Sequence, residues 1–294
     1  MDNPLLIDAK VANLAPIYGH DHFLADLVKS FSGGRMHHAW LLTGPVGIGK
    51  ASIARLAASW LLSKQAQLGG SSDIDSRSIT INAGDADASL VMKGAHPDFK
   101  LICPQAEDNK SGQIKINQIR ELLPFIMHKP ARGGWRVAII DSMDAVNRNG
   151  ANALLKLLEE PPEQAAIFLI ASRIGHLPPT IRSRCRIVRM TRLTPDACST
   201  ALHRVKPDAD QSQLDILVKL SQGAPGQAVQ LADSGAVDIY QVLCSLLQSS
   251  TLDRPALASL CAKLGKGTAD GRDLRVGTVS VSYTHLTLPT TPYV

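Results

Sequence analysis

Gly44-Pro45-Val46-Gly47-Ile48-Gly49-Lys50 lies between an apolar run, Ala39 to Leu42, and a segment of helical period. Its glycines let the backbone turn tightly enough for N–H groups to surround phosphate oxygens. The helix N-terminus adds its positive end, and Lys50 reaches the outer phosphates. A Gly-rich turn that binds nothing is the bland alternative, but it does not require a strand before it and a helix after it. A strand, this loop and a helix in succession commit the chain to a parallel α/β sheet. Gly44, Gly47, Gly49 and Lys50 are the candidate nucleotide-binding residues.

The rest of the chain fits that frame. Apolar runs at Ala39 to Leu42, Phe99 to Ile102, Arg136 to Ile140, Ala166 to Ala171 and Ile187 to Met190 predict five strands. Between them, Ile53, Leu56, Ala57, Trp60 and Leu61 repeat at helical spacing, as do Ile116, Ile119, Leu122, Leu123 and Ile126, where Pro124 is expected to kink or end the helix. A further helix, Ala151 to Glu160, is stopped by Pro161 and Pro162. Leu68 to Leu90 has no firm period and reads as a loop or insertion. From Pro195 to about Leu264 only helical spacing remains, broken by Gly223-Ala224-Pro225-Gly226.

These patterns divide the chain into a nucleotide-binding-like domain at 1–193 and a small all-α lid at 194–270. A Val-, Thr- and Ser-rich tail at 275–294 resembles vector read-through more than a packed segment. On that reading the natural chain continues past about residue 274 into a further domain that is missing here.

Composition narrows the function classes. With 45% apolar residues and a net charge of +5, the chain is an ordinary globular one, and the charge permits contact with phosphate backbones without demanding it. The longest apolar run, Ala165 to Ala171, is seven residues, and the N-terminus has no signal-peptide pattern, so a cytoplasmic location is expected. The five cysteines form no Cys-x-x-Cys pair, and the histidines show no metal-ligand spacing, so no metal site is predicted.

The phosphate loop lacks its usual companions. After Lys50 the magnesium-binding position holds Ala51, which has no hydroxyl, and Ser52 is rotated about 100° around the helix. The strand Val137 to Ile140 ends in Asp141-Ser142-Met143-Asp144 and resembles the Walker B strand of AAA+ proteins. In those that hydrolyse ATP a Glu follows the first Asp; here Ser142 stands there, too short to serve as the base. Asp141 fits either a degenerate Walker B carboxylate or an Asp closing the turn after a strand.

Asn152 to Pro162, Ile167 to Ser172 and Ser183-Arg184-Cys185 resemble bacterial clamp-loader subunits, with His37-His38-Ala39-Trp40 and His96-Pro97-Asp98-Phe99 fitting as well. The match runs from about Tyr18 to Met190. It implies a P-loop AAA+ fold, a parallel five-stranded sheet with helices on both faces followed by the lid, and a collar domain beyond the present C-terminus. In the family, the Ser-Arg-Cys arginine reaches into a neighbouring subunit's ATP site, which makes Arg184 the candidate catalytic residue in trans. Solvated surface charge among Arg182, Arg186, Arg189 and Arg192 is the alternative.

Further implications concern cofactors and partners. Gly226 replaces the lid arginine that touches ATP in motor subunits, and Ser172 occupies the sensor-1 position. Ser63 to Ala95 lacks the four cysteines of the zinc module some family members carry, so no zinc is predicted. No cofactor is required, and weak ATP or ADP binding is compatible with the remnant loop. The resemblance implies a noncatalytic stator that assembles with motor (gamma/tau) and delta subunits, the sliding clamp and primed DNA. The rival is an active, gamma/tau-like motor ATPase.

Overall fold

The computed structural model describes residues 19–63, 84–107 and 110–248, together with the single positions Pro255 and Ala262. The expected tail at 275–294 and most of the expected insertion lie outside the described residues. The chain divides into two compact units, one of Met1–Pro45 with Gly49–Thr191, the other of Val46–Ile48 with Arg192–Val294.

The first unit is an α/β fold built on a parallel sheet covered by helices. Its five parallel strands are β1 (Ala39–Thr43), β2 (Phe99–Ile102), β5 (Arg136–Asp141), β6 (Ala165–Ala171) and β7 (Arg186–Arg189). They lie in the order β2-β5-β6-β1-β7, so the strand that feeds the P-loop is internal. β6 is buried along all seven residues, as a parallel strand covered on both faces must be. Side-chain alternation sorts the two faces. Ala39, Leu41, Ala138, Ile140, Ile167 and Leu169 pack with Ile119, Leu122 and Ile126 of α4 (Ile116–Met127) and with Leu154, Leu157 and Leu158 of α5 (Arg148–Glu159). On the other face, Trp40 and Phe168 meet Phe23 of α1 (Asp21–Ser32) edge-on, with ring centroids 5.5 and 6.3 Å apart. α2 (Lys50–Leu62) follows the P-loop and is buried over most of its surface.

Two local expectations need correction, and one element is additional. Residues 86 to 90, in the stretch expected to be loop or insertion, are part of α3 (Ala86–Met92), started by Asp85, whose carboxylate accepts from the N–H groups of Asp87 and Ala88 at 2.9 and 3.0 Å. α4 continues through Pro124 to Met127. Proline removes one helical donor there, but Ile119, Leu122 and Ile126 hold the apolar face in the core on both sides of it, and His128 N–H still reaches Pro124 O at 3.3 Å. A two-stranded antiparallel pair, β3 (Gln105–Glu107) and β4 (Lys110–Gln113), stands outside the main sheet and was not foreseen.

A buried carboxylate fixes the start of β5. Asp98 is fully buried at the head of β2 and accepts from Ala131 N–H at 2.7 Å and Arg132 N–H at 3.0 Å, with Arg136 Nη2 at 3.4 Å. Its own N–H donates to His96 Nδ1 at 3.0 Å, which requires that nitrogen to be unprotonated. His96 Nε2 faces Asp87 at 3.6 Å, and Asp87 also pairs with Arg132 at 2.5 Å.

Burial drives the His96 pKa below its ordinary value, against the pull of Asp87 and Asp98, and burial does the same to His38 beside His37. The unfolded chain binds these protons near pH 6.5, and the native chain resists them. Stability is therefore present above pH 6.5 and is lost as pH falls through and below it. Urea midpoints are expected to drop between pH 7.5 and 5.5, and His96→Asn is expected to lessen that drop; a midpoint that rises on acidification would contradict the assignment.

The second unit is helical: α7 (Pro195–Val205), α8 (Gln211–Ser221), α9 (Pro225–Asp233) and α10 (Ala236–Gln248). Cys198, Leu202, Leu214, Leu217, Ala228 and Leu231 are core residues of this unit. Gly223, at φ +80°, lets the chain close against Leu193, where a Cβ would come within 2.2 Å of Leu193 O.

Candidate functional site

The P-loop leaves β1 at the C-terminal edge of the sheet, where Gly44 N–H donates to Ala171 O at 3.3 Å. Gly44, Gly47 and Gly49 have φ of +152°, +81° and +99°, values that favour glycine. Lys50, the first residue of α2, is almost fully buried, and its Nζ donates to Gly44 O and Pro45 O, both at 2.6 Å. The loop's own carbonyls thus hold the ammonium. Burial lowers the Lys50 pKa, opposed by the charges of Asp141 and Asp144.

Asp141 ends β5 next to this loop. Burial raises its carboxyl pKa, and Lys50 and Arg55 pull it back down. Arg55 is a buried guanidinium on α2 that donates to Met92 O at 3.5 Å, and its interaction with Asp141 was not anticipated. Asp144 was also passed over. Its Oδ2 accepts from Ser172 N–H at 2.5 Å and from Ser142 Oγ at 3.4 Å, tying the turn after β5 to the end of β6. Ser142 and Ser172 therefore serve Asp144 in this structure.

The donor set does not fit magnesium: position 51 offers only a methyl group, position 142 a short hydroxyl, and the charge of Asp141 is met by two basic side chains. Among the described residues no group of three or more His, Cys, Asp or Glu side chains is placed to hold a metal ion. Gly226 lies in the first turn of α9 and offers no side chain.

Arg184 is held elsewhere. It follows the short helix α6 (Pro179–Arg182) and precedes β7, which runs parallel to β1 with Arg186 opposite Trp40 and Arg189 opposite Thr43. The P-loop leaves β1 after Thr43, whereas Arg184 enters β7 before Arg186, so the two lie at opposite ends of the sheet. Four residues of strand alone separate them by about 13 Å. The Arg184 side chain is 34% exposed. Its Nη2 pairs with Glu159 Oε1 at 2.8 Å, while Nη1 donates to Thr180 O at 2.9 Å and to Ser183 Oγ at 3.3 Å. Cys185 beside it packs on the core, and burial raises its thiol pKa to about 12, so it serves as an apolar anchor. Of the neighbouring arginines, Arg186 pairs with Asp26 at 2.8 Å and lies over Trp40, and Arg192 donates to Ser221 O and Gln222 O.

A parallel α/β unit with a strand–glycine loop–helix succession at Ala39 to Lys50, and with the arginine of Ser183-Arg184-Cys185 at the opposite strand end from that loop, is the class this geometry defines. A family model described as "DNA polymerase III, delta subunit" matches residues 19–194, and the chain belongs to that family. The DNA polymerase III subunit delta' of Pseudomonas aeruginosa is 35% identical over 208 residues, covering 69% of this chain and 58% of the relative. The corresponding subunit of Escherichia coli strain K12 is 30% identical, covering 76% and 63%. A DNA polymerase III subunit gamma of Buchnera aphidicola is 32% identical, covering 74% and 56%. The chain thus spans roughly three fifths of the length of these relatives. No helix among the described residues is long and apolar enough to cross a membrane.

Proposed function

We propose that the chain is a noncatalytic, delta prime-like subunit of the DNA polymerase III clamp loader. In this reading it works with motor (gamma/tau) and delta subunits to open the sliding clamp and place it on primed DNA, without cofactor chemistry of its own. Arg184 acts in a neighbouring motor subunit's ATP site, where its planar guanidinium neutralises charge that spreads over the γ-phosphate oxygens during transfer. Contact with DNA follows the phosphate backbone of the assembled complex.

One observation carries the reading: Arg184 and the chain's own P-loop lie at opposite ends of one parallel sheet, a separation no arginine side chain can bridge. The lost magnesium hydroxyl at Ala51 and the lost carboxylate at Ser142 point the same way, since the pocket retains only Lys50 and Asp141 of its chemistry. Isolated chain given labelled ATP and magnesium is expected to bind weakly and to release no product over many multiples of the time a motor subunit needs. Steady hydrolysis by the isolated chain would transfer the assignment to a gamma/tau-like motor.

A further inference from the structure

We infer that Glu159 is the positioning residue for Arg184, aiming its guanidinium at the neighbouring site; this rests on the finger reading proposed above. Both residues spring from backbone that is held in place. Glu159 is the last residue of α5, directly after Leu157 and Leu158, which are buried, and Leu158 O accepts from His38 Nε2 at 3.1 Å. Arg184 is pinned by its N–H to Ile181 O at 3.1 Å and by the packed Cys185 that follows. Only side-chain torsions remain to be set between two fixed points.

Three acceptors set them: Thr180 O and Ser183 Oγ take Nη1, and Glu159 Oε1 takes Nη2. A guanidinium carries five N–H groups, so Nε–H and a second Nη2 N–H remain for an incoming anion. Thr180 and Ser183 are local to the arginine's own turn; Glu159 is the one holder that comes from another element. At 34% and 49% exposure the pair is too solvated to lock the arginine away from a phosphate, but it is strong enough to bias the rotamer by a factor of a few. Glu159 therefore lowers the ordering that the guanidinium must undergo when it engages, without competing for the phosphate.

The test uses reconstituted clamp loader built with full-length subunit, reading clamp-loading rate and the KM for ATP, with urea midpoints and assembly checked for each variant. Glu159→Ala is expected to slow loading about two- to fivefold at unchanged KM, assembly and stability. Glu159→Gln, which keeps the acceptor oxygen and loses the charge, is expected to fall between the two. In an Arg184→Ala background, Glu159→Ala is expected to add nothing. Unchanged or faster loading by Glu159→Ala, failed assembly, or an equal effect in both backgrounds would overturn the inference while leaving the finger intact. If Arg184→Ala itself loads clamps at the wild-type rate, the finger reading falls first and this one with it.

Discussion

Arg184→Ala is expected to slow clamp loading by reconstituted complex about tenfold or more and to lower DNA-stimulated ATP turnover at least about twofold, with assembly intact. An arginine finger contributes about 10³ to 10⁵ in rate at the site it serves, because it neutralises charge that exists only as the phosphoryl group transfers. Several sites contribute to bulk turnover, so losing one removes only its share. On the proposed reading loading depends on the sites acting together, so it is expected to bear more of the loss. Assembly is expected to persist because the side chain is partly exposed and its partners, Glu159 and the Thr180 carbonyl, are left in contact with water. Arg184→Lys is expected to recover little, since an ammonium cannot reproduce the planar fork. Wild-type turnover and loading in a properly assembled Arg184→Ala complex would remove Arg184 from the reaction.

Much of the fold was legible because its signals are local. The strand-glycine-helix succession at Ala39 to Lys50 and the double proline after α5 each act within a few residues, and the five apolar runs became the five parallel strands. What escaped depends on partners far along the chain. Pro124 is expected to kink or end the helix because local rules count its missing donor, whereas burial of Ile119, Leu122 and Ile126 outweighs that loss. α1 carries Phe23, Leu24, Leu27 and Val28 at helical spacing, a pattern that was present and overlooked.

The site shows the same division. Positions 44 to 50 and 184 could be read from motifs, while the pairing of Glu159 with Arg184, the latch of Asp144 on Ser172 and the proximity of Arg55 to Asp141 arise only when strands assemble. The opposite placement of Arg184 and the loop is legible in principle: both flank parallel strands, one before and one after, once the strands are known to be neighbours.

Asp98→Ala is expected to destabilise the first unit by about 3–5 kcal/mol, the cost of removing one partner from a buried, hydrogen-bonded charge pair. The fully buried carboxylate accepts two backbone N–H groups, from Ala131 and Arg132, and faces the mostly buried guanidinium of Arg136. A methyl group in its place leaves all three donors without that acceptor in a site with little room for water. Asp98→Asn is expected to cost less, about 1–3 kcal/mol, because its oxygen can still serve one N–H while its amide confronts the other. With a urea slope of about 2–3 kcal/mol per molar, the Ala variant's midpoint should fall by about 1–2 M. The loss should propagate toward the nucleotide loop, because Val137 N–H donates to Asp98 O at 2.9 Å and the register of β5, which ends in Asp141, starts there. An Asp98→Ala midpoint within a few tenths molar of wild type would show that water or a rearranged loop satisfies these donors and that the carboxylate does not set the start of β5.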